Sequence, residues 1–131
     1  MLLLIEYLIL FGPASMFAGI GIAMIPLGLL MGGQGMFISG VSIIVLIELF
    51  SLLGLYGCFQ LVRKRLDPTI PVAKPMILLI QVLLGGVAVI AFGLMGAFYE
   101  IGWHLYILGA PVIGALHLIY LNREYLFGNH S

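Results

Sequence analysis

Three polar side chains interrupt long apolar runs in this sequence: Glu48, Gln81 and His117. In a membrane, a carboxyl and an imidazole are groups that carry protons or hold a cation, and an amide can hydrogen-bond to either. An acidic side chain at the bilayer centre costs about 2.5–3.5 kcal/mol on insertion scales. Glu48 therefore needs a partner, a proton or water.

The rise of an α-helix places these three groups at comparable depths. Counted from the external end of its predicted helix, Glu48 lies about 18 Å deep, His117 about 21 Å and Gln81 about 25 Å. The sequence therefore predicts a buried polar cluster of Glu48 with His117, with Gln81 below them. Three roles remain open for it: a structural contact between helices, a proton or cation relay, and a contact for a membrane partner.

The composition indicates that lipid surrounds these groups. The chain has 131 residues, of which 63% are hydrophobic and 8% are charged, whereas a soluble domain carries about 25% charged residues. The net charge is zero, so we expect no nucleic-acid partner. Cys58 is the single cysteine, and the sequence has no zinc-protease, nucleophile-elbow or phosphate-loop motif. We expect no metal, no cofactor and no enzymatic activity.

Four segments are long and apolar enough to cross a bilayer, since about 20 residues suffice for a helix. The sequence predicts an all-α integral membrane protein, a single domain over residues 1–131. It would form a four-transmembrane-helix antiparallel bundle with short external turns. The predicted spans are about 6–30, 36–61, 76–98 and 103–122.

The basic residues predict the orientation of the bundle. Four of the five lysines and arginines lie in the predicted loop 62–75, namely Arg63, Lys64, Arg65 and Lys74. Loops rich in Lys and Arg stay on the cytoplasmic side, so both termini are predicted to be cytoplasmic (N-in/C-in). Glu6 is interpreted as an interfacial charge beside the first span. We expect a bacterial inner (cytoplasmic) membrane because the chain is reduced to its spans.

Small residues recur at helical spacing within the spans and predict close helix packing, because lipid provides little hydrophobic drive between helices. Gly85 and Gly86 lie on adjoining faces of the third helix, so one face can remain free for a partner protein or a second copy. The predicted packing residues are Gly40, Ser51, Gly54, Gly85, Gly86, Gly93, Ala110 and Gly114.

Two functions are compatible with these features. The first is a small non-enzymatic membrane protein that acts by helix–helix association, as an accessory or assembly subunit or an immunity-type protein. The alternative is a minimal oligomeric proton- or cation-coupled transporter or channel that uses Glu48 and His117. Four spans with one membrane carboxylate resemble the small multidrug-resistance transporters in outline. Their acid lies in the first helix, however, where this chain has only Glu6, and we assign no family.

Overall fold

The computed structural model describes residues 2–31, 36–94 and 103–128, and this part of the chain is all-helical, with no strand. The long apolar helices satisfy their backbone hydrogen bonds internally, as lipid requires. The helices are α1 (Leu2–Met31), α2 (Met36–Leu66), α3 (Pro75–Phe92), α4 (Trp103–Leu121) and the short α5 (Arg123–Phe127).

Two of these helices contain segments that are long and apolar enough to cross a membrane, Ser42–Leu66 and Pro75–Phe92. A third span results if Leu2–Gly12 and Ala14–Ala23 are counted together. These two halves of α1 are bent by 49° at position 13, where a proline removes a backbone donor. In α4, the apolar segment Gly109–Leu121 is shorter. The fold therefore has two to three candidate spans. The complete four-helix bundle and its orientation stay predictions.

The second helix extends beyond its predicted end at residue 61 and ends at Leu66. Arg63, Lys64 and Arg65 consequently form the last turn of α2 and not part of a loop. The partial negative charge at a helix C-terminus favours cations in this position. Pro68 follows closely, and a proline disfavours helical geometry in the residue before it.

The other helix bounds differ from the predicted spans in smaller ways. α1 begins at Leu2 and not near residue 6, because no helix-breaking residue precedes Glu6. α3 is α-helical from Pro75, a residue type favoured at the first helical position, to Phe92, whereas the predicted span continues to 98. Residues 95–98 lie outside the described part. α5 was not predicted.

Hydrogen bonds to side chains order the connection between α2 and α3. Asp67 Oδ1 accepts bonds from Thr69 Oγ1 at 2.6 Å and from the Thr69 backbone N–H at 2.9 Å. The Thr69 hydroxyl, followed by its backbone N–H, holds the pKa of Asp67 below its ordinary value. Lys64 Nζ donates to the Pro68 carbonyl at 2.6 Å. The chain therefore turns tightly immediately after α2.

The apolar core lies toward this connected end of the molecule. Leu61 and Val62 of α2 and Leu78 of α3 are completely buried. Helices α1, α4 and α5 add further buried side chains to the same cluster, which comprises Phe11, Cys58, Leu61, Val62, Leu78, Val82, Leu118 and Leu126. The short α5 thus closes the end of the core through Leu126.

Polar side chains at the same end bond to backbone groups. Gln60 Oε1 accepts the Ala73 N–H at 2.8 Å, and the Tyr125 hydroxyl donates to the Ala73 carbonyl at 3.0 Å. Asn122 Nδ2 donates to the carbonyls of Leu61 at 3.3 Å and Leu118 at 2.9 Å. Gln60 and Asn122 are both buried, and these bonds satisfy them. The connection and α5 are thereby held against the end of α2.

Two glycines allow α2 and α3 to cross closely. A Cβ built on Gly85 would lie 2.8 Å from the Gly54 Cα, and a Cβ on Gly54 would lie 2.9 Å from the Gly85 nitrogen. Real Cβ atoms do not approach so closely, so only glycine permits this backbone contact. α2 and α3 form the most extensive helix pair of the molecule.

We predict that Gly54→Val destabilises the protein by about 1–3 kcal/mol, because the added methyl groups force the crossing apart. The measurement is unfolding of the purified protein in detergent micelles. Gly19→Val is the matched control, since nothing lies within 4 Å of a Cβ at Gly19. Equal stability of the two variants would contradict the importance of this crossing.

Candidate functional site

An apolar cleft runs between α1, α2, α3 and α4. It consists of an outer cavity of about 220 Å³ and an inner cavity of about 210 Å³. One residue from each helix lines both cavities: Ala14, Ser51, Val89 and Pro111. The two cavities are therefore adjacent, and we call them together the central cleft.

The central cleft is elongated and opens between α3 and α4. Its lining on α2 extends from Ile47 to Cys58, which corresponds to about 16 Å of helix. Among the described residues, α3 packs closely on α2 but only sparsely on α4. Leu83 of α3 and Leu116 of α4 line the inner cavity and are 67% and 62% exposed. The inner cavity thus reaches the molecular surface between these two helices.

Glu48 lies on the wall of the outer cavity. Its carboxyl packs against Gly21 of α1, in the space that any larger side chain at position 21 would fill. Oε2 is buried and has no hydrogen-bond partner within the described part of the chain. Ser51, three residues further along α2, lines the cleft on the same side of the helix. The cleft therefore has one polar region, formed by these two side chains.

His117 has a different partner from the one that the sequence predicts. Its Nδ1 lies within hydrogen-bonding distance of Oε1 of Glu6, a contact that is an ion pair when the imidazole is protonated. The side chains of His117 and Glu6 are 43% and 33% exposed, so this contact lies at the surface between α1 and α4. Glu6 is thus more than an interfacial charge beside the first span. Similar depth did not bring His117 to Glu48, because depth leaves open which way each side chain faces around its helix.

Gln81 occupies a third location, at the crossing of α2 and α3. Its Cβ lies 2.8 Å from the position that a Cβ on Gly57 would take. Its Oε1 is buried and, like Glu48 Oε2, has no hydrogen-bond partner among the described residues. The three predicted cluster residues therefore lie in the cleft wall, at the α1–α4 surface and within the α2–α3 crossing.

The predicted packing residues have different surroundings: some lie in contacts between helices, and others line the central cleft. Gly54 and Gly85 form the α2–α3 crossing, and a Cβ on Gly114 would lie 2.8 Å from the Phe11 ring of α1. Gly86 lines the central cleft, and nothing lies within 4 Å of a Cβ there. Ser51 also lines the cleft. Ala110 and Gly93 are buried. The surroundings of Gly40 lie outside the described part.

The basic side chains lie near aromatic rings at the end that carries the α2–α3 connection. The Arg63 guanidinium is 5.9 Å from the Phe59 ring centroid, and Lys64 Nζ is 5.0 Å from that of Tyr125. Lys74 immediately precedes α3. Long basic side chains beside aromatic rings are typical of a membrane–water interface. The sequence did not predict these contacts or the role of Asn122, since neither follows a local motif.

We predict that a double-mutant cycle between Glu6→Gln and His117→Gln gives a coupling free energy of up to about 1 kcal/mol, because the pair is partly exposed. Unfolding in detergent micelles measures it. The control cycle pairs Glu48→Gln with His117→Gln and is expected to be additive within about 0.5 kcal/mol. Coupling in the second cycle and none in the first would contradict the observed pairing.

The described residues contain no group of three or more His, Cys, Asp or Glu side chains that could hold a metal ion. The chain matches no protein-family model, no curated protein and no solved structure. Its function must therefore be inferred from its own residues, above all those of the central cleft.

Proposed function

We propose that this protein is a small non-enzymatic integral membrane protein that acts by helix–helix association within the bilayer, as an accessory or assembly subunit or an immunity-type protein. The observation that carries the proposal is the open position at Gly86. In lipid, helices associate where small residues allow their backbones to approach. Gly85 is already used against α2, and Gly114 against α1. Gly86 remains beside the opening between α3 and α4.

The proposed architecture is a four-helix antiparallel bundle with both termini in the cytoplasm, in a bacterial inner membrane. Two contacts support it by placing distant parts of the chain at one end. Glu6 near the N-terminus pairs with His117 near the end of α4. Tyr125 of α5 contacts Lys64 and bonds to Ala73 of the basic connection. The partner that docks beside Gly86 is a second membrane protein or another copy of this chain.

We predict that Gly86→Leu reduces complex formation at least tenfold, because the larger side chain blocks backbone approach at the opening. Gly19→Leu is the control, since position 19 is equally open but lies on α1 and does not itself line the cleft. The measurement is native mass spectrometry of the protein extracted from its own membranes, with every partner identified and its stoichiometry determined. A monomer in wild type, or equal loss in both variants, would refute association through this surface.

A proton- or cation-coupled transporter or channel is a second candidate, and the location of Glu48 in the central cleft favours it. An intramembrane acid on a cavity wall is a usual feature of ion pathways. His117 is paired with Glu6 at another surface, so this function would depend on Glu48 alone.

For this candidate we predict proton flux into proteoliposomes that carry an internal pH-sensitive dye. Glu48→Gln should reduce this flux at least tenfold, because the amide cannot exchange a proton. Glu6→Gln, which changes an acid outside the cleft, should leave it within twofold. Flux no greater than that of protein-free liposomes would eliminate the transport candidate.

A further inference from the structure

We propose that the central cleft binds one elongated, lipid-soluble molecule whose polar end donates a hydrogen bond to the carboxyl group of Glu48. This inference does not rest on helix association or on transport. It follows from the dimensions of the cleft, the polarity of its wall and its opening to the surface.

The dimensions of the cleft fit an extended apolar chain. An apolar cavity of about 150 Å³ is large enough to hold benzene, and each of the two adjacent cavities is larger, at about 220 and 210 Å³. The lining extends over about 16 Å of α2. A whole transmembrane helix, about 10–12 Å wide with its side chains, does not fit inside this space, and a partner helix beside Gly86 would lie over its opening. An elongated small molecule does.

The wall of the cleft selects for one polar group at a defined place. Its lining is apolar apart from Glu48 and Ser51, and Glu48 is the one charged side chain among the lining residues that the structure describes. A buried acceptor without a hydrogen bond carries a free-energy cost, and Glu48 Oε2 is such an acceptor among the described residues. A donor on the bound molecule would remove this cost.

Glu48 is able to reach such a donor. Its carboxyl lies against Gly21, where no side chain fixes it from the α1 side. Oε2 is buried in its observed position, but the last side-chain torsion of glutamate is broad, so a rotation of the carboxyl would be the movement that brings Oε2 to the outer cavity that Glu48 lines. An ionised carboxyl would favour a protonated amine, and a hydroxyl would bond to either protonation state.

The entrance between α3 and α4 faces the medium in which such a molecule dissolves. Leu83, Val112 and Leu116 form this edge of the inner cavity and are exposed apolar side chains. Beyond the end of the cleft that lies away from Glu48, the completely buried Leu61 and Leu78 fill the core between the helices. The molecule would therefore enter sideways from lipid, with its chain along the inner cavity and its polar end at Glu48.

The test uses three photoreactive probes with the same 12-carbon, diazirine-bearing chain that ends in a primary amine, a hydroxyl or a methyl group. Full-length protein in lipid nanodiscs is irradiated with each probe, and mass spectrometry locates the labelled residues. We expect the amine or hydroxyl probe to label the cleft lining at least tenfold more than the methyl probe. Excess dodecylamine or dodecanol, respectively, should compete with that labelling.

Substitutions distinguish the contribution of the polar contact to binding from that of the apolar chain. Glu48→Leu should abolish the preference for a polar end, whereas Glu6→Gln, which changes an acid outside the cleft, should retain it. Glu48→Gln should reduce labelling by the amine more than by the hydroxyl if the carboxyl is ionised, and should affect the two equally if it is protonated. Ala115→Phe, which fills the inner cavity, should reduce labelling of the lining by all three probes, in protein whose unfolding midpoint is unchanged.

Three outcomes would overturn the proposal. The first is equal labelling of the cleft by all three probes, which would mean that ordinary lipid chains fill it. The second is an unchanged preference in Glu48→Leu, and the third is labelling confined to exposed side chains such as Ile80 and Leu94. These measurements use purified protein without a partner, so their outcome does not depend on the outcome of the association test at Gly86.

Discussion

The close crossing of α2 and α3 at Gly54 and Gly85 is the contact on which the rest of the structure depends. Lipid chains are as apolar as leucine, so helices in a bilayer gain little from burying apolar surface and associate through close packing and polar contacts. This crossing draws α3 toward α2, while Gly114 and Phe11 hold α4 against α1. Among the described residues, α3 and α4 contact each other less than α3 contacts α2 or α4 contacts α1. The central cleft lies among these four helices, since each of them contributes lining residues.

The molecule satisfies its polar groups unequally along its length. At the end that carries the connection, Gln60, Asn122 and Tyr125 all bond to backbone groups. These bonds order the connection and α5 against the core, and they also satisfy the polar atoms involved. Along the cleft, Glu48 Oε2 has no such bond among the described residues. The contrast places the unmet hydrogen-bonding capacity on a residue of the cleft wall.

The sequence predicted that the protein is all-helical because apolar length and prolines act locally, and the described part is all-helical. The helix bounds were less accurate, as the end of α2 at Leu66 instead of residue 61 illustrates. It also indicated that Gly85 and Gly86 face different ways, since adjacent helical residues lie about 100° apart. It did not predict the partner of His117 or the function of Asn122 in joining α4 to α2. Depth follows from counting residues, whereas the direction of a side chain depends on how the helices rotate and pack. That rotation is a tertiary property, and it separated Glu48 from His117 and brought Glu6 to His117.

The opening between α3 and α4 connects the two proposals physically. A partner helix beside Gly86 would cover the entrance to the cleft, and a molecule inside would support Leu83 and Leu116 from behind. Each event would therefore change the free energy of the other, and thermodynamic linkage requires the two effects to be equal. A molecule that holds α3 and α4 in the spacing a partner needs would promote association, and one that spreads them would oppose it. In both cases the separation of α3 from α4 is the quantity through which the two proposed sites would communicate.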